Sequence, residues 1–379
     1  MDFELSEEQR QLKETLAGFL AREFPFERLK ALKRSGEARD ETLWRGLVEL
    51  GVPALLVPGE AGGLGFGPVE TLALMEACGP SLLLEPVFAS AVLATALLSE
   101  LAGEPSVDRL LAELASGARI ATLAHFEPES RFELEAVQAR AHEDAGGWRI
   151  EGRKSFVLQA GMADVLIVSA RLADETLGLF LVPRSAAGVK LIEYRLVDGQ
   201  SAADVVLSGV QVPAAARVGA HEHASRALEA AISQALAALG AEAVAIMQSL
   251  IDATIAYLQT RQQFGQPIGR FQALQHRVAD MLIQLEQARS MSVLATMSCR
   301  SPDHKERARA LAGAKALIGE ASRFVGQQAV QLHGGMGMTD ELEVSHWFKR
   351  LTAIDLWLGD SDTHLKRYIK LMQEEAPTV

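Results

Sequence analysis

The sequence has little cysteine, few aromatic residues and no excess of positive charge. Only Cys78 and Cys299 are present, far apart and in no CxxC or Cys/His spacing, which excludes a disulfide framework and a structural zinc site. With 37 Lys and Arg against 49 Asp and Glu, the net charge of −12 argues against global attraction to nucleic acid or an anionic membrane. An anionic ligand would need a local basic patch. HExxH and GxSxG are both absent, and His221 and His223 stand two apart, a poor helical pair for one ion, so no metal centre or serine-hydrolase chemistry is expected. The opening MDFELSEEQRQL has no apolar core of a signal peptide, and no run approaches ~20 uninterrupted apolar residues. A soluble, unexported protein of the reducing cytoplasm is therefore expected.

The chain does contain 379 residues, of which 49% are hydrophobic, enough for two or three domains with substantial cores. Its texture changes twice. Over residues 1–117 apolar positions recur at helical spacing (Leu12, Leu16, Phe19, Leu20; Leu43, Leu47, Leu50), with Ser6-Glu7-Glu8 suited to a helix start. Leu82 to Leu101, opened by Gly79-Pro80, reads as a further helix. Over 118–220 short β-rich runs alternate with polar or Gly-containing turns such as Asp144-Ala145-Gly146-Gly147. No helical insert separates them, so an antiparallel meander or barrel is expected. Over 221–379 four long helical segments (Ala224–Thr260, Phe271–Ser298, Asp303–Leu332, Glu341–Gln373) with short connections suggest a four-helix bundle.

Two connections in the last part concentrate groups that bind phosphate. RQQFGQPIGRFQ at 261–272 combines an arginine with amides and two phenylalanines, the parts a nucleotide pyrophosphate could use; a polar loop over core phenylalanines would read the same. QLHGGMGMTD at 331–340 lets another group approach the backbone closely, although it lies between helices and not between a strand and a helix as a dinucleotide fingerprint requires. A plain helix–helix turn is the alternative. The glycines at 62, 63, 65 and 67 miss GxGxxG because residue 68 is proline.

Taken together, these segments resemble the acyl-CoA dehydrogenase family along nearly the whole chain. LSEEQRQLKETLAGFLARE is similar to the family's opening helix, VPALLVPGEAGGLGFG to its vPeeyGGlG loop, RQQFGQPIGRFQALQ to RxxFGxxIxxFQxxQ, and VQLHGGMGMTDELEVSHWFKR to QxxGGxGyxxexpxxrxxRD, with Arg350 kept and its Asp partner replaced by Leu351. The resemblance implies a mainly α fold with a helical N-terminal domain, a β middle domain and a C-terminal four-helix bundle. It implies FAD, an acyl-CoA substrate in fatty-acid metabolism and transfer of electrons to an electron-transfer flavoprotein. Arg261 and Phe264 would contact the pyrophosphate and adenine, Phe271 and Gln272 would line the same groove, and Gln331, Gly334, Gly335 and Gly337 would reach the FAD of a neighbouring subunit. A homodimer, homotetramer or heterotetramer follows, with no nucleic acid or membrane partner.

The departures are as informative. GxKxWITN appears as GRKSFVLQA, placing Phe156 for Trp and Leu158 for the Thr that would bond flavin N5, and TEPxxGSD appears as HFEPESRFE. The proton-abstracting carboxylate usually comes from YEGT, here Trp357-Leu358-Gly359-Asp360; a minority of members use a Glu-Arg pair that aligns with Ala235-Leu236. Neither position carries an acid. The substitutes are Asp360, which could equally cap a helix, and Glu242, two turns beyond Ala235 on about the same face. This erosion resembles the small subunits of heteromeric bacterial acyl-CoA dehydrogenases of the pimeloyl-CoA dehydrogenase type, implying a larger partner chain. The expected function is FAD-dependent α,β-dehydrogenation of an acyl-CoA; a non-catalytic or half-site subunit, and a related flavin oxygenase or oxidase, remain alternatives.

Overall fold

In the computed structural model, residues 5–144, 146–220 and 222–375 are described; Ala145 of the expected turn and His221 lie outside them. Helix α1 (Glu7–Glu23) starts where Ser6 and Gln9 form a capping box, each side chain accepting from the other's backbone amide (3.2 and 2.8 Å). It is followed by α2 (Phe26–Ser35), α3 (Glu41–Glu49, capped by Asp40) and α4 (Pro68–Cys78). The single helix expected over Leu82–Leu101 is broken. A 3-10 turn at Gly79–Ser81 ends with Leu82 in the left-handed region, and Pro86 precedes a π-helical run, Val87–Ala94, before α5 (Thr95–Ser99). At the end of this wide turn the Thr95 amide and hydroxyl both donate to the carbonyl of Ser90, five residues earlier (3.0 Å from the hydroxyl). Helix α6 (Pro105–Ala115) follows.

The β region comprises β1 (Ala121–Ala124), β2 (Arg140–Asp144), β3 (Gly147–Leu158), β4 (Val165–Arg171), β5 (Leu177–Pro183), β6 (Val189–Arg195), β7 (Ser201–Pro213) and β8 (Arg217–Val218). They form one eight-stranded sheet in the order β6-β7-β3-β2-β4-β5-β8, with β1 against β4. The expected antiparallel arrangement holds except where β4 meets β1 and β2, which pair parallel to it. Both β1 and the facing residues of β4 are buried throughout, the burial that parallel pairing usually requires.

Beyond the sheet run α7 (Glu222–Thr260), a two-residue hairpin of β9 (Gln262–Gln263) and β10 (Gln266–Pro267), α8 (Gln272–Ser298) and α9 (His304–His333). Helix α7 is long and apolar enough to cross a bilayer, but 83% of its apolar stretch is buried within the protein, as in a core helix. The last expected helix is divided into α10 (Glu343–Leu356) and α11 (Ser361–Glu375) by a turn in which Leu358 and Gly359 take φ of 59° and 108°. Contacts divide the chain into two compact units: one of residues up to Lys30, Pro68–Leu83 and Leu236 onward, the other of Ala31–Gly67 and Leu84–Ala235.

The second unit has a charged centre. Lys154 is fully buried, and its ammonium donates to Glu127 (2.6 Å), the His125 carbonyl (3.1 Å) and Ser169 (3.0 Å). Glu127 also accepts from the amides of Gln138 and Ala139 (2.6 and 3.0 Å), so every charge-bearing atom near it has a partner across three segments. Burial pulls the lysine down to about 8 despite Glu127, and burial beside Lys154 pulls His125 down to about 3. Replacing Lys154 by Met leaves the Glu127 charge buried alone. We expect a loss of about 3–5 kcal/mol in denaturant unfolding, partly recovered when Glu127→Gln removes that charge as well.

Candidate functional site

The segment 261–272 folds as a tight hairpin. Gln263 pairs with Gln266 and Gln262 with Pro267, leaving Phe264 and Gly265 at φ of 52° and 76°, the two left-handed residues of a type I′ turn. Glycine accepts this conformation freely; a phenylalanine in it is strained. Phe264 is nonetheless 89% exposed, its ring edge-on to Phe271 at 6.0 Å. The backbone of Arg261 is fixed at both ends, donating to the Tyr257 carbonyl (2.8 Å) and accepting from Ile268 (2.9 Å), while its side chain is exposed. Gln272 stands exposed at the first position of α8.

The second motif caps α9. Gly334 adopts φ 60° and ψ −142°, a conformation essentially reserved for glycine, and open space surrounds the Cα atoms of Gly334 and Gly335. Gly337 is glycine for another reason: a Cβ there would lie 2.7 Å from the Val330 carbonyl oxygen. Gln331 is exposed. Tyr257 and His333 stack at 4.5 Å, so the last turns of α7 and α9 meet and bring the Arg261 hairpin and the Gly334 turn to one end of the bundle. Sequence reasoning missed this pair, whose one signal is its place beside the two motifs. The exposed guanidinium of Arg261 and the amide of Gln272 on one side, and the unobstructed glycine backbone and the amide of Gln331 on the other, are donors of the kind that bind phosphate oxygens.

Phe156 and Leu158 belong to the other unit. Phe156 is half-buried with φ 54°, and Leu158 is buried with its carbonyl accepting from the Thr122 hydroxyl (2.7 Å). No hydroxyl of residue 158 is available for a ring nitrogen.

Both acids expected as substitute bases have structural partners. Glu242 is 4% exposed and accepts from Arg350 (2.7 Å), itself 2% exposed and also donating to the Leu83 carbonyl (2.9 Å). The ion pair is packed tightly: a Cβ on Gly79 would meet the Glu242 carbonyl oxygen at 2.9 Å, and the Arg350 guanidinium lies over the Trp357 ring. Asp360 caps α11, its carboxylate accepting from the Thr363 amide (2.8 Å) and its carbonyl from His364 (3.0 Å). Hydrogen bonding from Thr363 holds its carboxyl below the ordinary aspartate range.

The turn between α10 and α11 is strongly held although residue 358 is apolar. Lys315, buried and pulled down to about 8 by that burial, donates to the carbonyls of Ile354 and Asp355 (3.0 and 2.7 Å). Asp355 accepts from Arg323 (3.0 Å) and the Ser361 hydroxyl (2.5 Å). His364 Nε2 is 3.0 Å from the Leu358 carbonyl, which makes it the protonated ring nitrogen. Burial lowers His364 from 6.5 to about 4. Below pH 6.5 the unfolded chain therefore takes up a proton that the folded chain refuses until about pH 4, and stability falls with acid across that window. We expect up to about 1.4 kcal/mol per pH unit from this group, measured as a shallower pH dependence of unfolding in His364→Gln than in wild type. Removing Glu242 strands the Arg350 charge, so Glu242→Ala should cost about 3 kcal/mol or more, whereas Asp360→Ala should cost about 1 kcal/mol as a lost cap, both read from denaturant midpoints.

Comparison with known proteins matches three family models along the chain: acyl-CoA dehydrogenase N-terminal domain at 6–118, middle domain at 122–210 and C-terminal domain at 224–372. Benzylmalonyl-CoA dehydrogenase of Aromatoleum aromaticum is 30% identical over 368 residues, covering 93% of this chain and 95% of that one. Acyl-CoA dehydrogenase IpdE2 of Mycolicibacterium smegmatis is 30% identical over 375 residues, covering 96% and 98%. Among solved structures, the ChsE4-ChsE5 complex from Mycobacterium tuberculosis has a chain 26% identical with a TM-score of 0.88, covering both chains fully.

Proposed function

Because the chain belongs to the acyl-CoA dehydrogenase family, whose members are FAD-dependent oxidoreductases acting on CH–CH groups, we propose that it serves α,β-dehydrogenation of an acyl-CoA thioester as a half-site subunit. A larger acyl-CoA dehydrogenase chain supplies the base, in the manner of pimeloyl-CoA dehydrogenase small subunits, and the electrons pass to an electron-transfer flavoprotein. The single observation carrying this reading is that both substitute acids are engaged: the Glu242 carboxylate is buried against Arg350 and the Asp360 carboxylate caps α11. A base must reach the α-proton with a free oxygen. Neither acid does so without breaking the contact that holds it, and Leu358 has no oxygen to offer.

FAD, when bound, supplies the acceptor for the β-hydrogen. In this reading Arg261, Phe264, Phe271 and Gln272 hold its pyrophosphate and adenine side, and Gln331, Gly334, Gly335 and Gly337 reach the FAD of a neighbouring chain. Phe156 and Leu158 lie against the ring. The two-chain composition named for the ChsE4-ChsE5 complex, and for the Tcur3481-Tcur3483 steroid enzyme (28% identical, TM-score 0.88), is consistent with a heteromeric assembly here.

The test is anaerobic titration with a panel of acyl-CoAs. The purified chain reconstituted with FAD should keep its flavin absorbance, and the same chain combined with its larger partner should bleach. Bleaching by the chain alone that Glu242→Gln or Asp360→Asn abolishes would show that it carries its own base.

A further inference from the structure

The strand that carries Phe156 is irregular at that residue, and the irregularity has a dedicated partner. Between β3 and β7 the register runs from Lys154 opposite Val205 to Val157 opposite Ala203, so β3 holds one residue more than β7 over that stretch. The extra residue makes a β-bulge at Ser155–Phe156, and Phe156 takes up the added length at φ 54°. A bulged residue loses its place in the ladder, and an aromatic residue in the left-handed region stays there only when its surroundings hold it.

Asp204 is the β7 residue facing the bulge. Its Oδ1 accepts from the Phe156 amide (3.4 Å) and from the Tyr194 hydroxyl (3.4 Å), and its Oδ2 accepts from Arg153 (2.5 Å). The carboxylate thus takes the place of the missing ladder acceptor. On the other side of the bulge the Ser155 amide donates to the Phe126 carbonyl (2.8 Å), so the two amides of the bulge are held from opposite directions. The Asp204 side chain is only 17% exposed, and its charge is balanced by Arg153. Tyr194, on the edge strand β6, brings a second side chain to the same oxygen; partial burial and the Asp204 charge raise its phenol above the ordinary range.

We propose that Asp204, supported by Arg153 and Tyr194, is the positioning residue that fixes the Phe156 bulge and so sets the phenylalanine ring for the flavin. The inference rests on the reading above that Phe156 lies against the flavin ring. Asp204 acts through the Phe156 backbone and touches neither cofactor nor substrate.

The experiment is a double-mutant cycle on the full chain in its flavin-binding assembly, reading FAD affinity by fluorescence titration together with the visible circular dichroism of the bound flavin. Asp204→Ala and Phe156→Ala should each weaken FAD binding by about tenfold and change the flavin dichroism in the same sense, whereas in the Phe156→Ala background Asp204→Ala should add nothing. Asp204→Asn, which keeps an oxygen for the Phe156 amide, should recover most of the wild-type spectrum. If Asp204→Ala does not fold, Asp204→Ser, too short to reach the amide, takes its place. Wild-type affinity and dichroism in the Asp204 variant, with Phe156→Ala altered, overturn the positioning role and leave the reading of Phe156 intact. Wild-type behaviour of Phe156→Ala overturns both.

Discussion

A guanidinium buried to 2% exposure has to be neutralised where it sits, and at Arg350 that requirement organises the surrounding helices. Its two terminal nitrogens reach Glu242 on α7 and the carbonyl of Leu83 after the Gly79–Ser81 turn, and its face covers Trp357 at the end of α10. One side chain therefore ties together segments that are far apart in sequence. Trp347, one turn earlier on α10, donates to the Pro80 carbonyl (2.9 Å) and fastens the same turn again. Gly79 is small because the Glu242 backbone lies directly against it. The acid this arrangement needs is the acid that looked available for chemistry.

The turn after α10 makes the same point from the other direction. Lys315, Arg323, Asp355, Ser361 and His364 all hold backbone or side chains around it, and Leu358 keeps a left-handed conformation that a leucine adopts only under constraint. Leu358, held in this turn, has no side-chain group that can move a proton. The half-site role proposed above does not require an acid at this position.

Much of this was legible in the residues. Ser6-Glu7-Glu8-Gln9 announces the first helix because a capping box is a local interaction, and the change from helical to strand texture near residue 118 reflects side-chain periodicity alone. The N-cap reading of Asp360 was likewise open to local reasoning and is the geometry found. What escaped depends on partners distant in sequence. Nothing near Glu242 in the chain points to Arg350, 108 residues away. The π-helical run at Val87–Ala94, which follows Pro86 and ends at the Thr95 bonds to Ser90, is a change of helical pitch that no apolar periodicity reports. The Phe156 bulge depends on the register between β3 and β7, and register is a property of two strands.

Abstraction of the α-proton is the step for which this chain is proposed to depend on its larger partner. The most direct measurement is exchange of the α-protons of an acyl-CoA with deuterated water, followed by NMR, on the FAD-loaded chain by itself and then with its larger partner. No exchange above the uncatalysed rate is expected from the chain alone, and rapid exchange from the pair. Exchange by the chain alone that disappears in Glu242→Gln or Asp360→Asn would contradict that dependence.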